Sequence, residues 1–118
     1  MILYQDRKNK FVISKLKDNI KKYHISVFRN VMGTWLKIGF VEISITGPEY
    51  FEFYKYNKET FKTLVKLQKV LNKKKIVKSL MLSIHEDEER SKKEFAKFLT
   101  LCSYTEPKGK PRINHYKL

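Results

Sequence analysis

Residues 55–78 of this 118-residue chain hold nine lysines against a single acid, Glu59. Lys62, Lys66, Lys69 and Lys73 recur at spacings of four, three and four, which lays them along one side of a helix. With Lys55, Lys58, Lys74 and Lys75 they compose a basic surface suited to phosphates or to an acidic protein patch. The plainer reading is a solvated helix face. Tyr50, Tyr54 and Tyr56 stand close by in sequence, either to stack on unpaired bases or to pack beneath the first helix. Binding to nucleic acid through such a surface would be indifferent to sequence and steeply dependent on salt.

Other chemistry-bearing residues are sparser. His24, His85 and His115 have no partner at metal-ligand spacing and read as solvated or hydrogen-bonded, so no metal site is expected. In the acidic run Glu86-Asp87-Glu88-Glu89, Asp87, Glu88 and Glu89 sit where the start of a helix wants negative charge, which suits capping better than a divalent cation. A lone cysteine, Cys102, excludes an internal disulfide, and its apolar neighbours mark it as a buried thiol.

Charge sets the class of partner. There are 26 basic residues against 12 acidic, a formal net charge of +14, and all the basic ones except Arg7, Arg29, Arg90 and Arg112 are lysine. Attraction to nucleic acid, anionic membrane surfaces or acidic proteins follows. A lysine excess with abundant Ile, Asn, Tyr and Phe is also what AT-rich coding produces, and clamping of phosphates by bidentate contact favours arginine. At 42% hydrophobic residues the chain can bury a core, and no apolar run is long enough for a membrane span. The N-terminus lacks the pattern of a signal peptide. A cytoplasmic setting, or the interior of a particle assembled there, is expected.

The elements that must position these residues follow from periodicity. Residues 1–5 form a short strand. Val12, Leu16, Ile20 and Tyr23 share one helical stripe, which predicts a helix over 10–23, with a strand through Phe11-Val12-Ile13 as the competitor. Ile25–Arg29, Thr34–Thr46 and Tyr50–Tyr56 read as antiparallel strands, with turns at Val31-Met32-Gly33 and Gly47-Pro48. The middle strand has the faces Trp35/Lys37/Gly39/Val41/Ile43/Ile45 and Leu36/Ile38/Phe40/Glu42/Ser44, both apolar in the middle, which predicts cover on both sides of the sheet. Asn57 caps the lysine-bearing helix, whose buried side is Phe61, Leu64, Val65, Leu67, Val70 and Leu71. A strand over 76–84, a helix bearing Phe95, Phe98, Leu99 and Cys102, and short strands at Tyr104 and 113–116 complete the chain. The expectation is one α+β domain with a mixed, mostly antiparallel sheet and helices on both faces, compact over 1–106 and loosely held over 107–118.

That order resembles the GNAT (N-acetyltransferase) fold, and is similar to the short GNAT-like proteins of tailed phages of the internal virion protein A type. The resemblance is carried by the aromatic strand Tyr50-Phe51-Glu52-Phe53-Tyr54, the basic helix after it, the strand ending Ser83-Ile84-His85, and the helix Ser91–Leu99. It implies a pyrophosphate turn for acetyl-CoA at residues 56–61, where the chain has no glycine and carries Glu59. Asn57, Lys58 and Lys62 are what remains there to hold a cofactor. It also implies a tyrosine acid in the last helix, where Ala96 stands, leaving Tyr104 as the sole substitute. The resemblance therefore implies a phage accessory or structural protein without catalysis or cofactor. It would act in the virion or host cytoplasm on other virion proteins, an acidic protein surface or packaged DNA. The alternatives are a divergent acyltransferase and a nucleic-acid-binding regulator or host-enzyme inhibitor.

Overall fold

The structure, a computed structural model, describes residues 1–15, 22–44, 50–85, 88, 92, 93, 95, 97, 98, 100, 101 and 113–118. Strand alternation carries the first half of the chain. Ile2–Gln5 (β1), Asn9–Lys15 (β2), Lys22–Val31 (β3), Thr34–Ser44 (β4) and Tyr50–Phe53 (β5) pair in sequence order as one antiparallel five-stranded sheet. One face of it buries Phe11 and Ile13, Ile25 and Val27, Val41 and Ile43, and Phe51 and Phe53, each pair two residues apart on its strand. β3 turns into β4 through Met32 and Gly33, both at positive φ (52° and 86°), the backbone of a two-residue hairpin whose twist matches its strands. The side-chain oxygen of Asn30 accepts the N–H of Gly33 at 2.8 Å and fixes that turn.

The helix Lys58–Lys73 (α1) packs on the buried face. Asn57 Oδ1 accepts the N–H of Thr60 at 3.0 Å at its start, and Glu59 sits in its first turn. Its end is a Schellman motif: Ile76 N–H reaches Leu71 O at 2.9 Å and Lys75 N–H reaches Asn72 O at 3.0 Å, with Lys75 at φ 58° where glycine is usual. Leu64, Leu67, Val70 and Leu71 are buried as expected, together with Thr60 and Thr63. Met81–His85 (β6), Thr100–Leu101 (β7) and Ile113–Lys117 (β8) form a second antiparallel sheet in the order β6-β8-β7. Its Leu82, Ile84 and Tyr116 join Leu80, α1 and the large sheet in one buried cluster. The short strand expected over 113–116 forms as β8 and is the central strand of this sheet.

The expected α+β GNAT-like architecture is not what the chain adopts. Its strands form two antiparallel sheets, and α1 is the one long helix among the described residues, so there is no mixed sheet with helices on both faces. The error begins at residues 10–23. Val12 and Tyr23, placed on one helical stripe, belong to β2 and β3, and Leu16 and Ile20 lie outside the described residues. A spacing of four satisfies a period of two as well as one of 3.6, and Phe11 and Ile13 settle the matter by pairing with Val27 and Ile25. The strand that competed for that stretch is the one formed. Of the helix expected over 91–99, residues 92, 93 and 95 are helical, with Phe95 buried, while Phe98 is exposed. The Gly47-Pro48 turn, Leu99, Cys102 and Tyr104 fall outside the described residues.

β5 is the far edge of the large sheet, and two of its outward backbone groups are taken by side chains. Phe51 O accepts from Lys92 Nζ at 3.3 Å, and Phe53 N–H donates to the Tyr56 hydroxyl at 3.0 Å. An edge so occupied offers a poor template for pairing with another chain.

Candidate nucleic-acid interface

The lysine row is where its spacing placed it. Lys62, Lys69 and Lys73 project from α1 as exposed side chains, Lys66 is half-buried, and Lys55, Lys58, Lys74 and Lys75 are exposed around the helix ends. At 1.5 Å per residue, Lys62 and Lys73 stand about 16 Å apart along the axis. Lys62 meets Glu59 at 3.7 Å, with both side chains more than half exposed, a contact of little energetic weight. Lys66 lies over the Tyr4 ring, 4.9 Å from its centroid, and the Tyr4 hydroxyl and Asp6 push its ammonium above the ordinary lysine range.

Near its N-terminal end the row borders a polar cleft of about 420 Å³ between α1, the β1–β2 turn and the end of β3. Lys8 and Arg29 bring two more cations to Lys62 and Lys66, against the carboxylates of Asp6 and Glu59. Arg29 Nη2 donates to Thr63 Oγ1 at 2.7 Å and makes no ion pair with a carboxylate among the described residues. Asp6 is committed to its own turn: Oδ1 accepts the N–H groups of Lys8 (2.8 Å) and Asn9 (2.7 Å), and Oδ2 accepts the Tyr4 hydroxyl at 2.8 Å. Burial would raise its pKa, but the Asn9 N–H, the Tyr4 hydroxyl, the Lys8 N–H and nearby Lys66 together hold it below its usual value. Asn9 also lines the cleft, and its Oδ1 is buried without a protein donor among the described residues.

Sequence spacing did not single out Arg29, Lys8 or Asn9. A signal for Arg29 was present: it follows Ile25 and Val27 at period two, a charge at a core-facing position. The weak cofactor residues fare differently. Asn57 is spent on the helix cap, while Lys58 is exposed and Lys62 belongs to the basic row. Tyr104 lies outside the described residues, and among those described no three metal-binding side chains gather.

The tyrosines divide. Tyr54 is exposed; Tyr56 packs edge-on against Phe51 and Phe95 at 5.9 and 5.7 Å; Tyr50 faces away from the core. Tyr50 and Tyr56 donate to the two oxygens of Glu52 at 2.6 and 2.9 Å. The bond to Glu52, with burial and its charge, raises the Tyr50 pKa; burial first, then Glu52, raises that of Tyr56. Lys92, 1% exposed, reaches into this group with Nζ 3.2 Å from Glu88 Oε2, 3.6 Å from Glu52 Oε2 and 4.5 Å from the Phe51 ring centroid.

No family model, curated protein or solved structure matches the chain. No helix among the described residues is long and apolar enough to cross a membrane.

Proposed function

We propose that this chain is a nucleic-acid-binding protein that holds the phosphate backbone without reading base sequence. The observation that carries the reading is the lysine row of α1 running into a cleft where Arg29, half-buried, has a hydroxyl for a partner and no described carboxylate. A half-buried guanidinium in an open cleft favours an anion, and a row of lysines one helical turn apart favours a polyanion over a small one. The virion role and the acyl-CoA alternative came with a GNAT resemblance whose fold the chain does not have, and neither supports this reading. An acidic protein surface is the competing ligand for the same cations.

Six cations, Lys8, Arg29, Lys62, Lys66, Lys69 and Lys73, line the row and cleft. If all six contact phosphates, log K falls with log salt at a slope near −5 on duplex DNA, about a thousandfold in affinity between 50 and 200 mM salt. Anisotropy titrations of labelled DNA measure it. Lys62→Gln with Lys69→Gln, both at exposed positions, reduces the slope by about two. Absence of binding at low salt, or a slope unmoved by the double substitution, refutes the proposal.

A further inference from the structure

The outward face of the five-stranded sheet carries a second set of residues that the basic row does not use. Phe28, Trp35, Phe40 and Tyr50 are each half-buried, and none belongs to the core cluster or to the residues packed against it. Lysines are set among them. Lys10 Nζ lies 5.0 Å from the ring centroids of both Phe28 and Trp35, and Lys37 Nζ lies 5.7 Å from that of Phe40. His24 stacks on Phe40 at 4.8 Å, and Tyr50, on the strand to its other side, is 6.0 Å away. Two acids share the face: Glu42, 40% exposed, lies 3.6 Å from His24, and Glu52 takes the two tyrosine hydroxyls and Lys92.

We infer that this face is a stacking platform for unpaired bases, so that the nucleic acid held by the basic row is single-stranded. The inference rests on the backbone-binding reading and narrows its ligand. Rings interleaved with lysines suit a ligand that is flat, apolar on its faces and anionic along its backbone, which describes a single strand. A second copy of the chain is a poorer occupant, because a two-fold contact sets lysines against lysines on a protein of charge +14. Continuity with the cleft supports the choice. Phe28 and Arg29 are consecutive, as are Lys10 and Asn9, and Asn9 pairs with Arg29 while Lys10 pairs with Phe28. At this end of the sheet, alternation sends the ring and the lysine to the open face and the cleft residues to the other. A strand stacked on Phe28 and Trp35 therefore reaches the cleft cations by passing round the strand ends.

Trp35 is the sole tryptophan, so its emission reports on the platform directly. Oligo(dT) is expected to quench it saturably and to bind about tenfold more tightly than a hairpin duplex of equal charge at the same salt. Phe40→Ala should lower affinity for oligo(dT) by about tenfold, at the level of one lost stacking contact, and leave duplex affinity unchanged, which also shows that the variant is folded. Should that variant misfold, quenching in the natural protein decides. Equal binding of both ligands with Trp35 emission unmoved overturns the platform and leaves the backbone reading standing. Binding of neither at low salt removes the backbone reading and the platform with it. A dimer in light scattering that shields Trp35 from acrylamide assigns the face to a second copy and overturns the platform.

Discussion

Replacing Lys92 by methionine tests whether a buried ammonium holds the open edge of the large sheet. The side chain is 2% exposed, and its ammonium lies over the rings of Phe51, Tyr50 and Tyr56 and meets Phe51 O, Glu88 and Glu52. Methionine keeps the apolar stem and removes the charge. The hydrogen bond to Phe51 O is charge-assisted, and losing it with the carbonyl left unpaired costs about 1.5–3 kcal/mol. Glu52 and Glu88 do not add the full penalty of stranded buried charges, because their side chains are 44% and 36% exposed and take up water. The expected loss is about 2–3 kcal/mol for Lys92→Met, and about 2 kcal/mol more for Lys92→Ala through the missing methylenes, at roughly 0.8 kcal/mol each.

Urea unfolding measures both variants as shifts of midpoint at constant slope. Against a typical total of about 5–15 kcal/mol the alanine variant would be markedly weakened. A methionine variant as stable as the natural chain refutes the reasoning. It would mean that stripping water from the ammonium costs as much as its partners return, as happens at other buried ion pairs. Glu52 supplies a check through pH. Burial opposes it, but the hydrogen bonds of Tyr50 and Tyr56 and then Lys92 lower its pKa in the folded state. A carboxylate with a depressed folded pKa contributes stability above its unfolded pKa, about 4.3, and loses it as pH falls through the folded value. The loss of stability below about pH 4 should therefore be shallower in Lys92→Met.

The same sign applies to Asp6, whose pKa is also lowered. Asp6→Asn is expected to destabilise at neutral pH and to flatten the acid limb below about pH 4, read from urea midpoints across a pH series. At the end of α1, Lys75→Gly places the residue suited to φ 58° at the Schellman position and should raise stability by about 0.5–1 kcal/mol. Thermal unfolding measures that gain, and a loss would show that Lys75 contributes more than its backbone strain removes.

Local signals announced α1 in full: Asn57 at the cap, Glu59 in the first turn, an apolar stripe and lysines at the end all act within a few residues of one another. β2 showed only as the competing strand through Phe11-Val12-Ile13, because its identity depends on pairing with β3, a contact that a spacing of four leaves open. For the site, the lysine row was legible as a helical spacing, whereas the cleft needs the β1–β2 turn, β3 and α1 brought together from distant parts of the chain. Arg29 shows the limit. Its period-two position after Ile25 and Val27 was visible, but its meaning came only with Thr63, which α1 brings to it.

The position of Trp35 on β4 has a cause that alternation conceals. Val27 pairs with Gly39 and Phe28 with Lys37, so Ile38 is an extra residue, a bulge in the strand. Gly39, Val41 and Ile43 are buried, and strict alternation would carry Trp35 and Lys37 to the buried face with them. The bulge reverses the strand's phase instead: Lys37 comes opposite Phe28, and Trp35 opposite Asn30, on the side where Lys10 lies. Gly39 completes the device, because a Cβ at that position would run into the Glu52 carbonyl and the Phe53 ring. An inserted residue and the glycine beside it thus move a tryptophan and a lysine from the interior to the open face. The bulge accounts for Trp35 and Lys37 on the outer face, whereas Phe40, on the other side of the bulge, reaches it by ordinary alternation between Gly39 and Val41.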